Sequence, residues 1–163
     1  MSAPPSSSEP PSIQIHPDSS EIARALEWLE AQAERAGLPM RAMFARNLAL
    51  DETLANIVMH GFKPDPSNMR DPETGAPAVR VICDQDATLF HLEVRDNGTA
   101  FDPTQQASQE LASSLEEATL GGHGLRLMRH FLQGIEYRRE RGWNVLRMSV
   151  RRDDPGAGQT AQD

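Results

Sequence analysis

The chain has 163 residues, 24 acidic and 16 basic, for a formal net charge of −8; 38% are apolar and 25% charged. That is enough for one soluble domain with its own core, and no run of eighteen apolar residues exists to cross a membrane. The acidic balance argues against direct nucleic-acid binding, and the lone Cys83 excludes an intramolecular disulfide or a cysteine-based zinc site and fits a reducing cytosol.

Residues 1–12, with four prolines and five serines, read as a disordered tail with neither the basic nor the apolar stretch of a secretory signal. Ser12-Ile13-Gln14-Ile15 reads as a short edge strand stopped by Pro17. A helix is expected next, capped by Asp18 or Ser19, with Glu21 placed for a capping box. Its apolar row is Ile22, Leu26, Leu29, Ala33 and Ala36, and Gly37-Leu38-Pro39 ends it. A second helix is predicted from about Met40 to His60, with Leu50, Leu54, Ile57 and Val58 as core stripe. Residues 63–77 hold four prolines and no period, the pattern of an irregular loop. Val79–Cys83 and Leu89–Asp96 read as strands paired through the turn at 84–88. Residues 99–120 are long, polar and poorly periodic. Leu125, Met128, Phe131 and Leu132 mark a third helix, and 135–139 with 143–150 read as a hairpin around Glu140-Arg141-Gly142. Residues 153–163 resemble the first tail, which leaves a working domain of about 13–152. The order β-α-α-β-β-(loop)-α-β-β predicts an α+β two-layer sandwich: one mixed, mostly antiparallel sheet with its helices on one face.

Charge is unevenly spread. Residues 1–120 carry a net −11 and residues 121–152 a net +6. The basic third suits either a small anion or acidic partner, or a solvated arginine face.

Three places carry chemistry. On the second helix Leu48, Glu52, Asn56 and His60 follow at intervals of four and form one slowly drifting row beside the core stripe. A carboxylate and an amide at the edge of a buried face need a polar partner, such as a magnesium–phosphate group, unless this is simply the wet side of a surface helix. On the second of the paired strands, alternation puts Asp96 on the face of Phe90, Leu92 and Val94, just before Asn97-Gly98. An inward carboxylate there suits an exocyclic amine such as that of adenine, or else caps the turn's own amides. Finally, Gly121-Gly122-His123-Gly124-Leu125 opens the third helix, where glycines and the helix dipole favour an anion. It is neither a Walker A loop nor GxGxxG.

In this order and spacing the three pieces resemble the boxes of the GHKL (histidine-kinase-like) ATPase superfamily and its Bergerat fold. NLALDETLANIVMHGF at 47–62 is similar to the N box, DNGTAFDP at 96–103 to the G1 box, with Ala100 where a second glycine is usual, and GGHGLRLM at 121–128 to the G2 box. The small size, the His60-Gly61 pair and the ending GIEYRRERGWNVLRMSV resemble RsbW/SpoIIAB-type anti-sigma factor serine kinases. The resemblance implies roles. Asn56 would hold Mg²⁺ on the phosphates of ATP, and Glu52 would be the general base. Asp96 would bind the adenine amine, with Gly98 allowing close approach. Gly122, His123, Gly124 and Leu125 would give amides to the phosphates, and 99–120 would be the ATP lid. It further implies a cytoplasmic protein, compatible with a homodimer, that phosphorylates a STAS-domain anti-anti-sigma protein and holds an alternative sigma factor. The stretch 99–120 has Asp102, Glu110, Glu116 and Glu117 and no Lys or Arg. That acidity keeps a second reading open, a nucleotide-binding module that sequesters its partner without phosphorylating it. A detached sensor-kinase ATPase domain is the third reading; no phospho-acceptor histidine helix precedes the domain.

Overall fold

A computed structural model describes residues 9–63, 72–105 and 131–153. The predicted third helix up to residue 130, the glycine cluster at 121–124, most of the lid and the outer parts of both tails lie outside those residues. Strand β1 (Ser12–Ile15) leads into helices α1 (Ser19–Ala36) and α2 (Met40–Asn56), and α2 runs on into a π-helical turn, Ile57–Gly61. Strands β2 (Val79–Gln85), β3 (Leu89–Asp96), β4 (Gly134–Glu140) and β5 (Trp143–Arg151) complete a five-stranded sheet in the order β1-β2-β3-β5-β4. Every described pairing is antiparallel, so the parallel component of the expected mixed sheet is not found among the described residues. The α+β two-layer architecture is as read from the sequence.

Helix α1 starts where Asp18 accepts the Ser20 amide at 3.1 Å. The reciprocal half of the capping box does not form. Glu21 instead meets Arg24 at 3.3 Å, and the Asp18 amide goes to the His16 carbonyl at 2.8 Å. Gly37, at φ 65°, ends the helix: its amide and that of Leu38 turn back onto the carbonyls of Glu34 and Ala33. Alanines on α1 (Ala25, Ala33) and α2 (Ala42, Ala45, Ala49) sit in the same core cluster as Leu29, Leu50 and Leu54. Small side chains on both helices let them lie close over the sheet.

On the sheet, alternation holds. Phe90, Leu92 and Val94 of β3 and Leu146, Met148 and Val150 of β5 all belong to the core under the helices. The β4–β5 hairpin turns on Arg141 and Gly142, both at positive φ (50° and 83°), the backbone of a two-residue type I′ turn.

The opposite sheet face is charged. Glu93 is buried there, with Arg95 at 2.8 Å, Arg138 at 3.7 Å and Arg147 at 3.9 Å, and Arg147 also reaches Asp84 at 3.1 Å. Arg138 and Arg147 of the basic C-terminal third thus neutralise carboxylates of the same chain.

One buried cation was not anticipated. Arg46 is 1% exposed in the middle of α2, donates to the Leu29 carbonyl at 2.6 Å and lies over the Phe90 ring at 5.7 Å. It bolts α1, α2 and the sheet together, while its Nε has no hydrogen-bond partner among the described residues.

Candidate active site

Helix α2 places Glu52 and Asn56 one turn apart, both half-buried. Neither side chain makes a hydrogen bond to a described residue, so both are available to something else. Loss of solvation, and then the neighbouring charge of Asp51, push the Glu52 carboxyl above the ordinary glutamate range. After Asn56 the helix widens into the π turn, a device that re-aims the chain by one extra residue. The turn ends at Gly61, whose carbonyl accepts the Thr99 amide at 2.9 Å. The end of the helix that carries Glu52 and Asn56 is thereby stitched to the segment that follows Asp96.

Asp96 is the last residue of β3, 5% exposed and on the helix-facing side as predicted. Its Oδ1 accepts the Gly98 amide at 3.0 Å and the Asn144 amide at 3.0 Å. Both readings of this residue therefore have a place: one oxygen caps the turn, and Oδ2 makes no hydrogen bond to a described residue. Burial raises the Asp96 carboxyl, opposed by the bonds from Asn144 and Gly98 and by the charge of Arg139. A buried carboxylate with one oxygen fixed and the other open is a directed acceptor for an N–H donor.

Gly98 is required for space. Its φ is not positive, but a Cβ here would collide with the Gly61 carbonyl oxygen and crowd Asp96 Oδ1 at 2.9 Å. Asn97 is fully buried. Its side chain accepts the Ala78 amide at 2.8 Å and donates to the Ala76 carbonyl at 2.8 Å, which fixes the end of the proline-rich loop against the site.

Sequence reasoning missed the hub of this arrangement. Asn144 of β5 lies opposite Asp96 in register. It donates to Asp96 and to the Thr99 carbonyl (2.8 Å), and accepts from the Tyr137 hydroxyl (2.5 Å) and the Phe101 amide (3.2 Å). Arg139 donates to the Gly98 carbonyl at 3.0 Å. A signal existed: alternation along β5 turns Asn144 inward with Leu146, Met148 and Val150, and an inward amide needs polar company.

Of the predicted site residues, the structure brings together the end of the Glu52–Asn56 helix, Asp96 and Gly98. Gly122, His123, Gly124 and Leu125 lie outside the described residues. Among the described residues no group of three His, Cys, Asp or Glu side chains could cage a metal ion. A hard cation here would need oxygens from a ligand, with the Asn56 amide oxygen as one protein donor. The donor set therefore fits a magnesium ion that arrives on phosphate.

Comparison with known proteins gives a consistent picture. The histidine kinase-like ATPase domain matches residues 15–150. The chain is 40% identical over 144 residues to the serine/threonine-protein kinase BtrW of Bordetella bronchiseptica, covering 88% of this chain and 94% of that protein. It is 26% identical over 122 residues to the serine-protein kinase RsbW of Listeria monocytogenes (72% of each chain), and 27% identical over 86 residues to the anti-sigma F factor of Geobacillus stearothermophilus (53% of each).

Proposed function

The chain belongs to the histidine kinase-like ATPase family, and from that premise we propose that it is a cytoplasmic protein-serine/threonine kinase and anti-sigma factor of a partner-switching module. Residues 13–152 form its ATPase domain and 99–120 its lid. Its substrate is a hydroxyl on a STAS-domain anti-anti-sigma protein, and its second partner is an alternative sigma factor. The observation that carries the nucleotide half of this reading is Asp96, whose open oxygen suits the adenine amine. The names of the relatives support the kinase half.

In this reading Glu52 accepts the proton of the attacking hydroxyl. The new oxygen–phosphorus bond forms as the γ-phosphate leaves ADP. Asn56 is the protein ligand of Mg²⁺, which neutralises the phosphate charge when bound. Gly122, His123, Gly124 and Leu125 give their backbone amides to the phosphates.

The experiment is transfer from labelled Mg-ATP to the purified STAS-domain proteins of the source genome, assayed one at a time. Phosphoserine or phosphothreonine on one of them is the expected result. The acidic, lysine- and arginine-free stretch 99–120 favours a second reading, a nucleotide-binding module that sequesters its partner. Tight binding of a STAS protein with no transfer selects that second reading.

A further inference from the structure

Among the described residues, three large apolar side chains are prominently exposed: Met40 (86%), Phe44 (57%) and Met59 (53%). Scattered single apolar residues on a surface need no explanation. These three are not scattered. All belong to α2 and its π-helical extension, the element that carries Glu52 and Asn56.

Glu52 stands between two of them. Phe44 precedes it by eight residues, about 12 Å along the axis, and Met59 follows by seven, about 10 Å. The proposed reaction brings a protein hydroxyl to Glu52, so the surface around that hydroxyl must lie over this element. An interface of ordinary size covers about 800 Å² on each partner, a disc of about 16 Å radius, which takes in Phe44 and Met59 and leaves Met40 at its rim. Methionine and aromatic residues are also the types enriched in interface cores. The Phe44 ring also meets Phe131 edge-on at 5.5 Å, which limits its rotation and so the entropy that a contact there would cost.

We infer that Phe44 and Met59 are the apolar anchors on which the phosphoacceptor protein docks, one on each side of Glu52. The occupant is a folded protein whose acceptor hydroxyl is flanked, about 10–12 Å away on either side, by an apolar side chain. This inference rests on the kinase reading above, and its test separates the two.

The full chain would be used with Mg-ATP and each purified STAS-domain protein of the source genome, measuring transfer rates and partner affinity. Phe44→Ser and Met59→Ser should each raise KM and Kd for the protein substrate about tenfold, in line with hot-spot residues. Turnover at saturating substrate and Mg-ATP affinity should stay within twofold. Because Phe44 also packs on Phe131, Met59→Ser with an unchanged melting temperature is the control for a folding defect. A double variant with KM and Kd within twofold of wild type overturns the docking surface. If the wild type binds a STAS protein but transfers nothing, the kinase reading falls and the docking surface is judged on Kd alone. A wild type that binds none of them overturns both. If the substitutions instead dissociate a dimer of this chain and leave Kd unchanged, the surface belongs to a second copy and the inference fails.

Discussion

At the scale of single residues, Asp96 is a buried carboxyl with one oxygen held and the other open. Its folded carboxyl titrates above the ordinary 3.8, chiefly because it is buried. The stability it contributes is therefore full below that value and is lost as pH rises through the raised one. Asp96→Asn keeps an oxygen for Gly98 and Asn144 but turns the open acceptor into a donor. Two outcomes follow. The melting temperature of the variant should improve relative to wild type between pH 4 and pH 7. Affinity for ATP should fall about 10- to 100-fold, the worth of a hydrogen bond to a charged group, and preference over GTP should shrink. Calorimetry with both nucleotides, and melts at the two pH values, check this. Asn144 has no such latitude, because its amide serves four partners. Asn144→Leu removes all four bonds; of the partners only Asp96 is buried, while the half-buried Thr99, Phe101 and Tyr137 can turn to water, so unfolding free energy should drop by about 2–4 kcal/mol in urea titration.

At the scale of elements, the site depends on a joint between two pieces that are distant in sequence: the π turn after α2 and the turn after β3. The Thr99-to-Gly61 bonds hold that approach and the bare Cα of Gly98 leaves room for it. Gly98→Ala should push the two turns apart and cut ATP affinity at least tenfold, while circular dichroism keeps its helix and sheet signal; unchanged affinity would show that the joint tolerates a methyl. The elements themselves were legible in the sequence because each is driven by a local rule. Period-four alanines and leucines specify the helices, alternation specifies β2, β3 and β5, and Asp18, Gly37 and Arg141-Gly142 mark the ends. Glu52 and Asp96 could be singled out for the same reason, as polar residues beside an apolar pattern, whereas Gly98 was legible as part of the Asn97-Gly98 turn and took its close-approach role from the family resemblance. What stayed hidden depends on pairing between strands and layers. Asn144 gains its meaning only when β5 lies beside β3 in a register that sets it opposite Asp96. Arg46 reads as a helix-surface residue until Leu29 and Phe90 are seen to enclose it. No local rule marks the π turn.

At the scale of the whole molecule, charge is divided between the two sides of the sheet. Arg138 and Arg147 of the C-terminal hairpin pair with Glu93, Asp84 and Glu140 on the face opposite α1 and α2, and Arg139 turns toward the site to hold Gly98. In the proposed reaction, an acidic chain of net −8 handles a polyphosphate with the help of a cation carried by the nucleotide, which would give Asn56 and Glu52 separable duties. Asn56→Ala removes a ligand of that cation and should lose Mg-ATP affinity together with transfer. Glu52→Gln keeps size and hydrogen bonding, so binding of Mg-ATP and of the protein partner should persist while transfer falls about 10²–10⁴-fold, the usual worth of a general base. The pH profile adds an independent check, since a base works only when deprotonated. Burial and the Asp51 charge hold the Glu52 carboxyl above its ordinary 4.5, so kcat/KM should rise with pH through that elevated value. Asp51→Asn removes the like charge next to Glu52 and should move the acid limb to lower pH without changing the plateau; Glu52→Gln should have no such limb. An acid limb that stays in place in Asp51→Asn, or survives in Glu52→Gln, assigns the titration to another group and takes the base role away from Glu52.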